Sequence, residues 1–292
     1  MIPSIRHAFF HFVRNTRVFR KAYFFSCKLM KTYFPKTKLV VPIINGGKLE
    51  VIAGEWVQYN LLLNGYYEKP ETDMWVKLCK NSRIIVDIGA NVGYYSILAA
   101  KSTRDRNNII YAFEPVKHTF SSLKKNIGLN NLSTIKPFNL ALSEEEGQLQ
   151  IHVNAKENWG LSSVHRQMDE LGSIELSNAV NFDSFYNKMD SHSIDLIKID
   201  VEGHELHILK GMEKSIDKYK PIVLVEVNDT VLKHTSTTKE DIYDYFWRRD
   251  YSSYIIHENC CLQKTDTAIS IDGLICFIYN NRLISDDDFT FV

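Results

Sequence analysis

One stretch, residues 83–96, constrains the fold of this chain more than any other. Residues 84–88 read Ile-Ile-Val-Asp-Ile, an apolar and mostly β-branched run that is typical of a strand buried on both faces of a parallel sheet. Gly89 and Gly93 follow, and they allow a tight turn in which a ligand can approach the main chain. A helix is predicted over residues 94–101. A strand, a glycine turn and a helix in this order predict an α/β fold.

The turn does not match the fingerprint of dinucleotide-binding proteins. It reads Gly-x-Asn-x-Gly over Gly89, Asn91 and Gly93, so the third glycine of that fingerprint is missing. Asp87 stands two residues before the first glycine, where its carboxylate would repel a pyrophosphate but suit an ammonium group. S-adenosylmethionine combines an ammonium group with ribose and adenine. The pattern therefore favours this ligand over NAD, with an α/β unit that binds no ligand as the alternative.

A second predicted strand, residues 108–113, also ends in an acid, Glu114. An acid at this position can accept hydrogen bonds from both ribose hydroxyls of a nucleoside. Glu114 follows Asp87 at about the spacing of one βα unit, which makes the two acids together more informative than either alone. The end of a third strand, at Asn139, Ala141 and Leu142, is where the adenine is expected.

Residues 194–205 repeat this pattern, with an apolar strand followed by acids, a glycine and a helix. In open α/β sheets ligands bind beyond the carboxyl ends of the strands, so Asp200, Glu202 and His204 are the predicted catalytic residues. Together with Lys198 they should perturb one another's pKa values. The alternative is that Lys198 and one acid form a structural pair that only shapes the loop.

The charge balance and the cysteines exclude several classes of protein. Lys plus Arg and Asp plus Glu each number 35, so the formal net charge is zero and the composition does not indicate a nucleic-acid partner. Five cysteines without a Cys-x-x-Cys spacing indicate neither a disulfide framework nor a zinc site. We expect a protein of the reducing cytoplasm.

The N-terminal region differs from the rest of the chain. Residues 1–49 contain no Asp or Glu, and basic and aromatic side chains are interleaved through residues 1–38. No apolar run there is long enough to span a membrane, and no standard secretory signal is present. This extension lies on the inner face of an anionic membrane or packs on the main domain or on a second subunit, as in a homodimer. Residues 39–80 are predicted to form a hairpin and helices that cap the core, and residues 81–292 the main domain.

Other segments carry weaker predictions. Glu68 lies in a turn before a predicted helix, and we interpret it as a solvated turn acid, with a position facing the ligand cleft as the alternative. The glycine-serine loop at residues 159–164 could line a substrate cleft, and residues 167–178 have the character of a variable insertion. Two late strands are predicted at residues 251–257 and 273–279, joined by a connection that contains the two adjacent cysteines.

These motifs together resemble the FkbM family of S-adenosylmethionine-dependent methyltransferases. The resembling segments are residues 65–68, 86–96, 112–115, 139–143, 162–163, 196–205 and 221–223. They occur in the order found in that family. The glycine turn alone indicates only a methyltransferase class, whereas the run Lys-Ile-Asp-Val-Glu-Gly at residues 198–203 points to this family. The basic aromatic N-terminus falls outside the shared pattern.

The resemblance implies a Rossmann-like, seven-stranded methyltransferase sheet that is mostly parallel, with the last strand antiparallel. It also implies methyl transfer to a hydroxyl oxygen, often of a sugar, a glycan or glycolipid precursor, or a secondary metabolite. The residues that would hold the methionine portion of S-adenosylmethionine are Asp87, Gly89, Asn91 and Gly93. By the same resemblance Glu114 would hold the ribose, and residues 139–142 would meet the adenine edge.

A sugar hydroxyl is a weak nucleophile near neutral pH, so its methylation benefits from a nearby base as well as from positioning. We hypothesise that His204 or Glu202 takes the proton and that Asp200 orients the acceptor or the sulfonium. A second hypothesis is a Mg²⁺ ion held by Asp200, Glu226 and Asn228, because oxygen ligands suit this ion. The alternative function is a non-catalytic nucleoside-binding or membrane-associated scaffold on the same fold.

Overall fold

Two buried strands, β3 (Ile84–Ile88) and β9 (Leu196–Ile199), lie side by side near the centre of a large sheet. The structure is a computed structural model that describes residues 32–33, 37–52, 56–103, 107–153, 173–189, 193–268, 272–282 and 290–291. The basic aromatic extension, apart from a few residues, and the glycine-serine loop at residues 159–164 lie outside this part of the chain. No helix in the described ranges is long and apolar enough to cross a lipid bilayer.

Fourteen strands and nine α-helices are described. The other strands are β1 (Lys38–Pro42), β2 (Lys48–Ile52), β4 (Ile109–Phe113), β5 (Ile135–Phe138), β6 (Ala141–Leu142), β7 (Gly147–Val153), β8 (Ser173–Val180), β10 (Ile222–Val227), β11 (Tyr251–His257), β12 (Cys261–Thr265), β13 (Gly273–Tyr279) and β14 (Thr290–Phe291). The helices are α1 (Trp56–Asn64), α2 (Lys69–Cys79), α3 (Tyr94–Ser102), α4 (Lys117–Leu129), α5 (Phe182–Tyr186), α6 (Glu205–Gly211), α7 (Glu213–Tyr219), α8 (Asp229–Leu232) and α9 (Lys239–Trp247).

The large sheet has the strand order β5-β4-β3-β9-β10-β13-β11-β12-β14. Neighbouring strands from β5 to β10 run parallel, whereas β13 is antiparallel to both β10 and β11. This arrangement confirms the predicted α/β, Rossmann-like sheet with an antiparallel late strand. The described sheet is wider than the seven strands expected, because β12 and β14 extend its edge beyond β11.

Strand β12 falls where the sequence predicts only a connection. Its sequence, Cys-Leu-Gln-Lys-Thr, exposes Gln263 and Lys264 in succession and therefore lacks a regular apolar alternation. Polar and charged residues of this kind are common on strands near a sheet edge, where they oppose pairing with other chains. The adjacent cysteines end a 3₁₀ turn and begin this strand, and both are free thiols.

Alternate side chains of the central strands point to opposite faces and build two apolar cores. On one face Ile85 and Leu196 belong to a core shared with Trp75 of α2 and Leu98 of α3. On the other face Val86 and Ile197 belong to a core shared with Leu209, Ile216 and Phe246 from α6, α7 and α9. The sheet is thus covered by helices on both sides. Near-continuous apolar strands are what such double coverage requires.

The predicted hairpin at the start of the described chain is confirmed. Strands β1 and β2 pair antiparallel across a turn in which Asn45 and Gly46 have positive φ. Two side chains, those of Asn126 in α4 and of Asn130 directly after it, hold β2 in place, and Asn130 Oδ1 accepts from Lys48 N at 2.8 Å. Asn126 Oδ1 accepts from Glu50 N at 2.7 Å while its Nδ2 donates to Val92 O at 2.9 Å. Asn126 therefore links the hairpin to the glycine turn after β3.

A small three-stranded sheet has the order β6-β8-β7. Strand β7 is antiparallel to β8, whereas β6 is parallel to it. Strand β8 includes residues 173–178 of the segment that the sequence analysis interprets as a variable insertion. In β8 the large apolar residues Ile174 and Leu176 are 58% and 54% exposed, and the buried positions hold only Ser177 and Ala179. The usual contrast between an apolar inner face and a polar outer face is therefore reversed.

Candidate active site

A cavity of about 160 Å³ opens at the carboxyl ends of the central parallel strands. Its volume is about ten times that of a site for a single water molecule, so it can hold a ligand of many atoms. The lining comes from the turns after β3 and β9, the ends of β4 and β10, β6 and the turn before α2. The predicted site residues that line it are Gly89, Asn91, Glu114, Ala141, Leu142, Asp200, Glu202 and His204. Asp87, Gly93 and Asn139 do not line it.

Asp87 is buried beside the cavity and anchors the next helix. Its Oδ2 accepts a hydrogen bond from Ser96 Oγ of α3 at 2.5 Å. Its Oδ1 is buried and has no hydrogen-bond partner in the described part of the chain. Burial raises the pKa of this carboxyl, although the Lys198 charge and the Ser96 hydroxyl act in the opposite direction. One buried acceptor atom thus remains for a donor that the described side chains do not supply.

Gly89 is required by backbone packing, which differs from the ligand approach expected from the sequence. Its φ is +78°, and a Cβ at this position would lie 1.9 Å from the main-chain oxygen of Asp200. The turn after β3 therefore touches the turn after β9 directly. Gly89 N and Ala90 N also donate to Phe113 O at 3.0 and 2.9 Å, which ties the same turn to the end of β4. Gly89 joins all three strand ends.

Glu114 is buried at the end of β4 and is held by main-chain donors. Its Oε2 accepts from Asn91 N at 3.0 Å and its Oε1 accepts from Val116 N at 2.9 Å. Burial raises its pKa to about 7, although these two hydrogen bonds lower it. Each carboxylate oxygen has a further acceptor site in addition to the one used by the backbone. Glu114 is therefore fixed in one orientation and can still accept hydrogen bonds from a diol.

Asn139 has a supporting position behind Glu114. Its Nδ2 donates to Glu114 O at 2.9 Å and to Pro115 O at 2.8 Å. The neighbouring residues Ala141 and Leu142 do line the cavity and make that wall apolar. Of the residues predicted to meet the adenine, Ala141 and Leu142 thus line the cavity, while the side chain of Asn139 braces the loop that carries the acid.

A buried lysine organises the acids after β9 and β10. Lys198 Nζ donates to Asp200 Oδ2 at 2.6 Å, and the two side chains are 2% and 32% exposed. The same ammonium lies 4.3 Å from the centre of the Tyr95 ring. Burial alone would lower the pKa of Lys198, but the charges of Asp200, Asp87 and Glu226 outweigh it and raise the pKa. Lys198 therefore stays charged inside the sheet.

Asp200 and Glu226 interact directly. They lie at the ends of neighbouring parallel strands, and their carboxyl groups are hydrogen-bonded to each other. The charge of Asp200, together with burial, raises the pKa of Glu226 well above its ordinary range. Burial would raise the pKa of Asp200 as well, but Lys198 holds it below the ordinary value. Of the two carboxyl groups, Glu226 therefore holds a proton in preference to Asp200.

Glu202 and His204 stand on a strained turn. Glu202 has a φ of +56° and Gly203 a φ of +106°. The next acid, Glu205, is buried and accepts from Gly203 N at 2.9 Å, which braces the turn from below. His204 is buried, its Nε2 lies 3.0 Å from Ser143 Oγ, and its ring stacks on His207 at 4.7 Å. His204 is therefore engaged next to the apolar wall formed by β6.

The three residues of the Mg²⁺ hypothesis do not all converge. Asn228 caps α8, because its Oδ1 accepts from Thr230 N and Val231 N. A different set of acids does converge in the described part of the chain. One carboxylate oxygen from each of Asp200, Glu202 and Glu226 lies within 4.8 Å of the other two.

Glu68 lies in the turn before α2, is exposed and also lines the cavity. The structure therefore agrees with an exposed turn acid and also with the alternative of a position facing the cleft. Surrounding protein and the charge of Asp200 raise the pKa of its carboxyl to about 7. Its place in the segment Gly-Tyr-Tyr-Glu, one of the segments that carry the family resemblance, is the sequence feature that could have indicated this position.

Residues 87–253, more than half of the chain, match the family model of the methyltransferase FkbM domain. The hexuronic acid methyltransferase AglP of Haloferax volcanii is 26% identical over 145 residues, which cover 50% of this chain and 56% of AglP. Methyltransferase 1 of Beauveria bassiana is 24% identical over 163 residues, which cover 50% of this chain and 65% of that protein. The matched region thus spans between half and two thirds of these relatives. The crystal structure of a methyltransferase FkbM from Methylobacillus flagellatus KT matches with a TM-score of 0.44 at 20% identity, over 67% of this chain and 43% of that one.

Proposed function

Since the chain belongs to the methyltransferase FkbM domain family, we propose that it is an S-adenosylmethionine-dependent methyltransferase. The proposed acceptor is a hydroxyl group of a sugar, a glycan or glycolipid precursor, or a secondary metabolite. The observation that best supports this function is the cavity in which the glycine turn, the diol-accepting Glu114 and the acids after β9 meet. The two relatives described above are named as methyltransferases, one of them for hexuronic acid, and they support the reaction class.

The chemistry of the cavity fits S-adenosylmethionine, which when bound supplies an activated methyl group on a positively charged sulfur. Five carboxyl groups line the cavity in the described part of the chain, and no lysine or arginine does. Such a lining favours a cationic ligand and disfavours the pyrophosphate of NAD. In this proposal Glu114 holds the ribose hydroxyls, Ala141 and Leu142 contact the adenine, and residues 87–93 hold the methionine portion.

In this proposal Asp200, fixed by Lys198, orients the acceptor. The sequence hypothesis gives the acceptor proton to Glu202 or His204, and both residues line the cavity. Replacement of Glu202 or His204 by Ala, with folding and cofactor binding intact, should lower turnover steeply if that residue is the base. Unchanged turnover in both variants would contradict this assignment.

For the cluster of Asp200, Glu202 and Glu226 we propose a proton as the occupant, and not a Mg²⁺ ion. The Lys198 ammonium and the proton of Glu226 already compensate the charge of these acids. Turnover should therefore persist in excess EDTA. Loss of turnover in EDTA that added Mg²⁺ restores would contradict this proposal and support a metal at these carboxylates.

Two measurements test the function as a whole. Isothermal titration should detect binding of S-adenosylmethionine and S-adenosylhomocysteine, and no binding of NAD. Incubation with methyl-labelled S-adenosylmethionine and a cell extract, followed by identification of the labelled product, then defines the acceptor. Binding without any transfer to extract components would support the alternative of a non-catalytic nucleoside-binding scaffold.

Partners and localisation are proposed from residues 1–38, which are almost wholly outside the described structure. A basic aromatic segment suits a peripheral contact with the inner face of an anionic membrane in the cytoplasm. Flotation with anionic vesicles, with and without this segment, tests the contact. A full-length protein that stays unbound and forms a dimer only when the segment is present would support a subunit contact instead.

A further inference from the structure

We propose that Glu68 is the catalytic base of this site and takes the proton of the acceptor hydroxyl. The inference rests on the proposed methyl transfer and names a residue that the sequence hypothesis leaves outside the site. Glu68 shares the cavity with Asp200 and Glu226 but comes from a different part of the chain, the turn between α1 and α2.

The backbone of Glu68 is strained, and the surrounding structure maintains the strain. Its φ of +40° is in the left-handed region that non-glycine residues rarely adopt. Tyr94 Oη accepts from Tyr67 N at 3.1 Å, and Thr72 Oγ1 donates to Tyr67 O at 2.5 Å. Thr72 N also donates to the main-chain oxygen of Glu68 at 2.8 Å. Strained residues that neighbours hold in place in this way cluster at active sites.

The side chain of Glu68 does not perform the structural role that its position offers. Glu68 is the N-cap residue of α2, where an acidic side chain usually accepts hydrogen bonds from the first N–H groups of the helix. No such side-chain hydrogen bond is present. The carboxyl group is instead hydrogen-bonded to the side chain of Tyr67, and both residues line the cavity. The conformation thus favours presentation to a ligand over helix capping.

The charged and titratable groups around Glu68 suit a base that works near neutral pH. Tyr67 belongs to its own turn, Glu71 lies in α2, Tyr94 and Tyr95 lie in α3, and Lys198 and Asp200 come from β9 and its turn. Burial by the surrounding protein, followed by the charge of Asp200, raises the pKa of Glu68 to about 7. General bases are most effective when their pKa lies close to the working pH.

His204 and Glu202, the bases of the sequence hypothesis, are less well placed. The Nε2 atom of His204 lies 3.0 Å from Ser143 Oγ, and its ring stacks on His207, on the side of the cavity that carries Leu142. That apolar wall is the one proposed for the adenine. Glu202 belongs to a group of acids in which one carboxylate oxygen of each residue lies within 4.8 Å of those of Asp200 and Glu226. Glu68 contributes a separate carboxyl group to the same cavity.

In the proposed step the acceptor oxygen forms the new O–CH₃ bond, and its hydroxyl proton passes to the Glu68 carboxylate. The S–CH₃ bond of the donor breaks, and its electron pair remains on the sulfur, which becomes neutral. The ionised Asp200 fixes the acceptor during the transfer. Glu68 then returns its proton to solvent through its exposed surface.

The first experiment compares Glu68→Gln with the wild type and with Glu71→Gln. Glu71 lies in the first turn of α2, interacts with Glu68 only through charge and does not line the cavity, so Glu71→Gln is the matched control. The probe is methyl-labelled S-adenosylmethionine at saturation with a heat-treated small-molecule extract as the acceptor pool. The wild-type rate should rise with pH to a plateau, with a midpoint near 7. Glu68→Gln should lose about 10²–10⁴-fold in rate and lose this rise, whereas Glu71→Gln should keep both.

The second experiment needs no activity. A carboxyl group whose pKa is 4.5 in the unfolded chain and about 7 in the folded one costs stability as the pH rises between these values, and the full cost is present above 7. Glu68→Gln removes this cost. The melting temperature of the variant, relative to the wild type, should therefore increase from acid to neutral pH and then stay level. Calorimetric titration should also give an unchanged affinity for S-adenosylhomocysteine.

The outcomes separate this inference from the proposed function. Wild-type protein that transfers no methyl group would overturn the proposed function itself. Wild-type transfer together with a Glu68→Gln variant that keeps its rate and its rise with pH would overturn only the role of Glu68. A melting difference that is constant across pH would return Glu68 to the class of solvated turn acids and would equally contradict the proposal.

Discussion

At the residue scale, the backbone geometry at Gly89 predicts that a side chain at this position destabilises the fold. In Gly89→Ala the new Cβ would lie 1.9 Å from Asp200 O, at a φ of +78°. We expect a loss of at least about 3 kcal/mol in the free energy of unfolding, from backbone strain and displacement of the turn after β9. Urea denaturation measures it. The matched control is Gly128→Ala in α4, where a Cβ meets nothing within 4 Å and should stabilise the helix by about 0.5–1 kcal/mol. Equal effects of the two changes would contradict the close contact.

The raised pKa of Glu114 predicts that the affinity for the cofactor depends on pH. Burial raises its pKa to about 7, and only the ionised form offers acceptors on both oxygens to a ribose. Affinity should therefore fall as the pH decreases through this value, by about tenfold between about one unit above and about one unit below it. Isothermal titration with S-adenosylhomocysteine measures the change. Glu114→Gln should bind weakly at every pH, and a wild-type affinity that does not vary with pH would contradict the role of the carboxylate.

Residue patterns identified the glycine turn and the two strand-end acids because each depends on local sequence and on the parallel order of strands. The place of Glu68 could not be derived in this way. It depends on the tertiary arrangement that brings the turn before α2 to the same cavity as the ends of β9 and β10, which are distant in the sequence. Asn139 shows the same limit, since its proximity to the adenine wall was predictable but the direction of its side chain, toward Glu114 O and Pro115 O, was not.

At the scale of elements, β9 places the charged Lys198 side chain inside the large sheet. Replacing Lys198 by Met would leave the Asp200 carboxylate without its partner at 2.6 Å. We expect a cost of about 3 kcal/mol in the free energy of unfolding, near the lower end for breaking a buried pair because Asp200 is 32% exposed. Chemical denaturation of K198M and of the double variant K198M/D200N tests this. The double variant should be the more stable of the two, and the reverse order would contradict an unpaired charge as the cause.

The strands β8 and β12 were not predicted from the sequence, and the physical reason is the same for both. Strand β8 exposes its large apolar residues and buries small ones, and β12 places two polar residues in succession. Neither strand belongs to the centre of the large sheet, since β8 lies in the small three-stranded sheet and β12 lies next to the edge strand β14. At these places burial does not impose the alternation that identifies strands. The central strands β3 and β9 are buried on both faces, and their continuous apolar runs were sufficient to identify them. A strand that helices cover on both faces can therefore be predicted from its sequence more readily than a strand without this coverage.

At the scale of the whole molecule, a formal net charge of zero conceals a strong separation of charge. Residues 1–49 contain no acid, whereas the described lining of the cavity contains five carboxyl groups and no lysine or arginine. The overall composition averages over these two regions, so it could not indicate that the lining of the cavity is acidic. The separation matters for function, because an acidic cleft attracts a cationic donor and repels anionic nucleotides.

This separation leads to a prediction for ligand binding by the entire chain. S-adenosylhomocysteine, present at about 100 times its dissociation constant, should stabilise the folded protein by about 2.7 kcal/mol and raise its melting temperature by roughly 5–10 °C. NAD at the same concentration should produce no shift, since its pyrophosphate would face the acidic lining. A chain that lacks residues 1–36 should keep the full shift, because the described lining of the cavity comes from residues 61–226. Equal stabilisation by both ligands would contradict the charge argument, and loss of the shift on truncation would assign the N-terminal segment a part in the site.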